Sequence, residues 1–325
     1  MTTALFTHPS SLKHVTPDGH PERIARIRAI NQILASPHFA DLVRREAPRG
    51  QAQDILRAHA EEHYERLLAM APDEGFEYLD PDTVMSPGSL EAALHAVGAA
   101  TAAVDMVFSG EADNAFCATR PPGHHAESRR AMGFCLFNQV AIAAHYARAT
   151  HGVERVAVVD FDVHHGNGTQ DILWSDPDLF YGSSHQMPLY PGSGDVRETG
   201  VGNIFNAPLQ AGDGSVPFRE AWSTRILPAL DGFAPELVII SAGFDAHHRD
   251  PLGSLELTEE DFAWITLRLM EVAEVHAGGR IVSVLEGGYD LQALASSVGT
   301  HVQALMRGSA GMVEDRDEQD EDEEL

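Results

Sequence analysis

The chain has 325 residues, 43% of them hydrophobic, and a formal net charge of −27 at pH 7. That is enough apolar material for one large core, and the negative charge argues against unspecific binding to nucleic-acid backbones. Two cysteines, Cys117 and Cys135, make no disulfide framework and read as buried thiols in a reducing compartment.

The first residues, MTTALFTHPSSLKH, lack a basic region followed by a long apolar run, so they do not read as a signal peptide. No stretch reads as apolar over the ~18 residues of a membrane span, and a soluble cytoplasmic protein is expected. Residues 21–34 (PERIARIRAINQIL) place Ile24, Ile27, Ile30 and Ile33 at helical spacing behind a first-turn proline. Asp54 is expected to cap a second helix, ILRAHAEEHYERLLAM. Ser86-Pro87 opens a third, rich in Ala and Gly, which stops at Gly110. AFCA (115–118) reads as a strand, NQVAIAAHYARAT (138–150) as a helix ended by Gly152, and RVAVVDFD (155–162) as a strand. LFYGSS (179–184) and NIFNAPL (203–209) read as two further strands. Next comes SVPFREAWSTRILPALDGF, helical with a break at Pro228. ELVIISAGFD (236–245) and RIVSVLEGG are strands separated by the helix EEDFAWITLRLMEVAEVHA, and LASSVGTHVQALM is a last helix.

Apolar β-branched strands alternating with helices predict an α/β fold, a mostly parallel central sheet with helices on both faces. No Pro/Gly/Ser-rich linker and no repeat interrupts it, so residues 1–308 are expected to form one domain. Residues 309–325, which end in EDRDEQDEDEEL, are expected to be a disordered acidic tail.

In a parallel sheet, ligands bind beyond the carboxyl ends of the strands. Four strands end in titratable groups here. AFCATRPPGHHAE leads to His124 and His125, and VVDFDVHH carries Asp160, Asp162 and His164 at alternate positions, which on a strand share a side. LVIISAGFDAHH ends in Asp245, and IVSVLEGGYD in Glu286, Gly287, Gly288 and Tyr289. Charges at the ends of core strands are costly unless paired or metal-bound. Asp162, His164 and Asp245 make a three-ligand oxygen/nitrogen set that leaves a position open for water or substrate, as a catalytic Zn²⁺ needs.

RPPGHHAE, GFCLFNQVAIAA, DFDVHHGNGTQDIL, YPGSGD, SAGFDAHHRDPLG and LEGGYD resemble, in that order, the motifs of zinc-dependent histone deacetylases. The likeness is closest to the class II branch and its bacterial deacetylase-like amidohydrolases, and it runs from GHPERIARIRAI to the last helix. It implies the arginase/deacetylase α/β fold and a hydrolase that removes acetyl groups from lysine side chains. By the same resemblance Asp162, His164 and Asp245 are the zinc ligands, with Fe²⁺ as the alternative ion. His125 would be general base and then acid to the leaving amine, His124 its electrostatic partner bonded to Asp160, and Tyr289 the donor to the oxyanion. Asn167 would orient His125; as it stands where class I members often carry Asp, it supplies no negative charge. A structural K⁺ is implied at Asp160, Asp162, His164, Ser183 and Ser184, through main chain at His164 and Ser184. Phe134 and Tyr190 resemble the aromatic pair that lines the substrate channel, with Gly133, Leu252, Gly287 and Gly288 about it. A slot of that kind suits the apolar stem of lysine.

Arginase-like ureohydrolases share the fold but need further carboxylates where this chain has Gly166 and His247. Acetylpolyamine amidohydrolases share every catalytic residue. The Leu252 that follows Asp250-Pro251, and the short segment PDEGFEYLDPDTVMSPGS, favour acetylated lysine peptide or protein over acetylated polyamine as substrate. A non-catalytic module on the same fold would be expected to lack a ligand or the tyrosine. No dinucleotide fingerprint supports an NAD-dependent enzyme. Oligomerisation is left open by the sequence.

Overall fold

A computed structural model of the chain describes residues 1–323. Its main sheet has eight strands, all paired in parallel: β1 (Thr3–Thr7), β2 (Val43–Glu46), β5 (Asn114–Cys117), β6 (Val156–Asp160), β7 (Leu179–Gln186), β8 (Ile204–Leu209), β9 (Leu237–Ala242) and β10 (Ile281–Leu285). The spatial order is β2-β1-β5-β10-β9-β6-β7-β8, so the last strand in the chain lies in the middle. A small antiparallel ladder pairs β3 (Glu77–Tyr78) with β4 (Val84–Met85).

Side chains of period two send alternate strand residues to opposite faces. Val156, Val158 and Ile239 enter one core, packed with α4 (Ser89–Ser109) and α5 (Gln139–His151). Ala157, Val159, Val238 and Ile240 enter the other, with α1 (Ile24–Leu34), α9 (Glu259–His276) and α10 (Leu291–Glu323). Both faces of the sheet are thus covered, which is why its central strands read as unbroken apolar runs. The remaining helices are short: α2 (Ala52–Ile55), α3 (Glu61–Met70), α6 (Asn167–Leu173), α7 (Ser215–Ala221) and α8 (Leu227–Phe233).

Several expectations need correction. α4 is long and apolar enough to cross a membrane by length and composition, yet 72% of its apolar window is buried inside the protein. It is a core helix whose small residues let it lie close to the sheet. Asp54 lies within α2 and caps nothing; the helix that follows starts afresh at Glu61. Pro228 does not break the chain's helical course: it falls at the start of α8, directly behind a π-helical turn over Trp222–Ile226. β1 and β2 were not expected: they are short, and VRRE of β2 is an edge strand with three exposed polar residues. α10 is interrupted at Gly308 (φ 68°). Beyond it the helix is described as far as Glu323. Residues 324–325 of the acidic tail lie outside the described residues.

Candidate active site

The four strands that end in titratable groups, β5, β10, β9 and β6, are consecutive in the sheet, so their C-terminal loops open onto one rim. β6 stops at Asp160, which means that strand alternation does not aim Asp162 and His164. The loop aims them through its own side chains: Asp162 N–H donates to Asp160 Oδ1 (3.1 Å) and His164 N–H to Asp162 Oδ1 (2.9 Å). Such turns, in which a carboxylate accepts from the backbone two residues on, are the habit of Asp in loops.

Asp162, His164 and Asp245 come together. Their ligand atoms all lie within 4.8 Å of one another and all three residues are buried. His164 Nδ1 stands 3.1 Å from an oxygen of each carboxylate. Each carboxylate is also braced by backbone: Val163 N–H donates to Asp245 Oδ1 (2.8 Å) and Gly287 N–H to Asp162 Oδ2 (2.9 Å). Burial alone would depress the proton affinity of His164, but Asp162 and Asp245 push its pKa up to about 10. Burial and the neighbouring Asp162 push Asp245 up to about 7. Two buried carboxylates converging on one nitrogen demand positive charge at that point, and a divalent cation fits the donor set.

Glycine shapes the cradle. A Cβ on Gly243 would lie 2.0 Å from Asp162 Oδ2, and one on Gly287 would lie 2.1 Å from Asp245 Oδ2. Gly287→Ala is therefore expected to weaken divalent-ion binding by roughly 10- to 100-fold, the range found when partners of metal ligands are disturbed. A chelator competition followed by metal analysis measures it; wild-type retention would show that the carboxylates can yield.

Beside this cluster, His124 Nδ1 bonds Asp160 Oδ2 (2.9 Å) and His125 Nδ1 bonds Asn167 Oδ1 (2.8 Å). The two imidazoles are pushed in opposite directions. Burial would depress His124, but Asp160, Asp162 and Glu286 outweigh it and hold its pKa well above the usual range. Burial, with His124 and His164 nearby, holds His125 well below. Neighbouring groups driven apart in this way are suited to separate acid and base duties.

Tyr289 is buried, and burial, with Asp245 and Asp162 nearby, keeps its phenol protonated well above the usual range. Its ring lies beneath the Arg26 guanidinium (5.0 Å to the centroid) and edge-on to Phe134 (6.0 Å). Tyr190 stands 5.1 Å from the His125 ring and 6.3 Å from that of His164, and is 39% exposed. Phe134 thus meets the Tyr289 ring, and Tyr190 meets those of His125 and His164. Phe134 has a positive φ of 70°; its N–H donates to Thr83 Oγ1 (3.0 Å) and its ring meets His20 edge-on at 4.7 Å. Gly133, at φ +55°, leaves room for His125, whose Cδ2 a Cβ would approach to 2.5 Å. Gly288 adopts φ +123° ahead of Tyr289. Leu252 is half-buried and donates its N–H to Asp250 Oδ1 (3.0 Å).

Ser183 lies opposite Asp160 in the β6–β7 register. Its hydroxyl bonds His185 (2.9 Å), while that of Ser184 accepts from Trp222 Nε1 (2.9 Å).

Several residues that hold the site escape a reading of the sequence. Glu286, seen only as a strand-end acid, accepts from the N–H groups of Gly123 (2.7 Å) and His124 (3.2 Å) and from the Ser241 hydroxyl (3.1 Å). Burial pushes its pKa up to about 7. Arg26 donates to the Gly288 carbonyl (2.6 Å) and to that of Glu286, and pairs with buried Glu22, which also binds Arg120. These partners lie up to 262 positions apart, and no local pattern announces them.

A model of the histone deacetylase domain matches residues 20–305. The chain is 44% identical over 277 residues to a histone deacetylase-like amidohydrolase of Pseudomonas aeruginosa, covering 83% of this chain and 73% of that protein. It is 43% identical over 303 residues to a probable deacetylase of Methanothermobacter thermautotrophicus (90% and 87% covered). Among solved structures, that of the HDA15 HD domain superposes with a TM-score of 0.90 at 34% identity, covering 95% of this chain and 89% of that one.

Proposed function

Because the chain belongs to the histone deacetylase family, we propose that this hydrolase is zinc-dependent and removes acetyl groups from lysine side chains of proteins or peptides. The observation that carries the reading is the meeting of Asp162, His164 and Asp245 next to a histidine pair and a tyrosine, behind two aromatic rings.

Asp162, His164 and Asp245 would hold Zn²⁺, or Fe²⁺, which accepts the same ligands. When bound, the ion supplies Lewis acidity, polarising a carbonyl oxygen and acidifying water. His125 takes a proton at Nε2 from the attacking water and returns it to the leaving amine. Its low proton affinity keeps it in the base form at neutral pH. His124, protonated against Asp160, supplies fixed positive charge beside the reacting group. The Tyr289 hydroxyl donates to the developing oxyanion. Phe134 and Tyr190 embrace the lysine stem and, with Leu252, Gly133, Gly287 and Gly288, exclude water around it. Asp160, Asp162 and Ser183, with main chain of His164 and Ser184, would hold a structural K⁺. The unpaired, buried Cys117 and Cys135 support a cytoplasmic location.

Turnover of an acetyl-lysine peptide, compared side by side with acetylated polyamines, tests the substrate class. The peptide is expected to be the faster substrate, and a hydroxamate chelator is expected to inhibit. Faster cleavage of the polyamines would reassign the substrate. Indifference to saturating hydroxamate would refute an accessible metal.

A further inference from the structure

An imidazole acts as a base at Nε2 only when its proton sits on Nδ1. His125 Nδ1 faces Asn167 Oδ1, an oxygen that accepts and cannot donate, so this pairing demands the Nδ1–H form. An amide, however, can turn over. Turned, Asn167 would offer its NH₂ to Nδ1, and the proton would move to Nε2, where it blocks the base. His125 itself does not decide between these arrangements, since a neutral imidazole can either donate or accept at Nδ1.

The far side of the amide decides. Asn167 Nδ2 donates to Glu127 Oε1 (2.8 Å) and lies 3.3 Å from Met132 Sδ, and both of these only accept. Turning the amide would set its oxygen against the Glu127 carboxylate. The carboxylate is itself fixed. Arg130 Nη2 donates to the same Oε1 (3.1 Å), and the backbone of Glu127 and Arg130 closes a tight turn (N–H of Glu127 to the Arg130 carbonyl, 2.9 Å). The Glu127 carbonyl is bonded to His59 Nδ1 (3.0 Å). Glu127 stands at the edge of the site with its side chain 28% exposed, in a cleft that Arg130, Gln170 and Asp171 also line.

We propose that Glu127 is a positioning residue of the deacetylation reaction: through Asn167 it locks His125 in the Nδ1–H tautomer and so leaves Nε2 free to take a proton. The negative charge that Asn167 lacks is supplied one residue further out, where it orients the amide and does not pair with the imidazole. This rests on the proposed role of His125 as base, and the test separates the two.

The tautomer is read directly from ¹⁵N shifts of ¹⁵N-histidine-labelled, zinc-loaded full-length protein, with His125 assigned by difference against His125→Gln. The wild-type protein should show protonated Nδ1 and bare Nε2. Glu127→Gln substitutes a group that can donate as well as accept, so Asn167 is released to turn over. His125 should then populate the Nε2–H form, with kcat down on the order of ten- to a hundredfold and KM unchanged. A base held in the wrong tautomer can lose as much as about 10⁴-fold. Adding Asn167→Asp should restore both the Nδ1–H signature and most of the lost kcat, because a carboxylate facing His125 accepts whichever way it turns. The proposal is overturned if Glu127→Gln keeps the wild-type tautomer, whatever its rate, or if the double variant fails to restore it. Should the wild type not cleave acetyl-lysine at all, the functional reading fails while the tautomer measurement still decides the role of Glu127.

Discussion

Asp245→Asn is expected to release the divalent ion and abolish turnover while the fold persists. The substitution is nearly isosteric, and its amide oxygen can still accept from Val163 N–H, the contact that fixes the loop after β9. What disappears is one of the two negative charges that meet at His164 Nδ1. Ion affinity should fall beyond the 10- to 100-fold typical of disturbing an outer partner, since the ligand itself is altered. Metal analysis after dialysis against a weak chelator, with circular dichroism as the control for folding, checks both halves. A fully loaded and active Asn variant would remove Asp245 from the ligand set.

Tyr289→Phe should lower kcat by ~10²–10³-fold, the usual loss when a single oxyanion donor is removed. The test is clean because the ring is held by contacts that phenylalanine keeps. These are the guanidinium of Arg26 above it, the edge of Phe134 beside it, and the backbone bond from Tyr289 N–H to Asp250 Oδ2 (2.6 Å). Metal content and thermal stability should therefore stay at wild-type levels. Burial keeps the phenol protonated, and so able to donate, throughout the working pH range, so the deficit should be the same across that range. Near-full activity of the Phe variant would rule out its role as donor.

Features built from residues close in sequence are legible before folding, and features built from distant ones are not. The central strands are legible because both of their faces are buried, and each is a short apolar run punctuated by turn residues. The cluster of Asp162, His164 and Asp245 is legible because acids and imidazoles at the ends of such strands have no inexpensive structural use. β1 and β2 hide because one is five residues long and the other lies polar at an edge. The supports of the site hide for a different reason. Arg26, Glu22 and Arg120 look like ordinary charged residues of a helix and a loop, and only the closed fold reveals that they are buried together against the Gly287-Gly288 turn. Glu127 likewise has no visible purpose until the loop after β5 and the start of α6 are brought together.

The position of β10 has a consequence for biosynthesis. During translation the early strands β2-β1-β5 and the later strands β9-β6-β7-β8 can each assemble, but they face one another across a gap that only Ile281–Leu285 fills. Until the ribosome has delivered that segment, two unsatisfied backbone edges stay open, and such edges invite association with other chains. Tyr289 and Gly287 arrive with the same segment. The two half-sheets are therefore joined, and Gly287 and Tyr289 brought beside Asp162 and Asp245, only once this segment is in place.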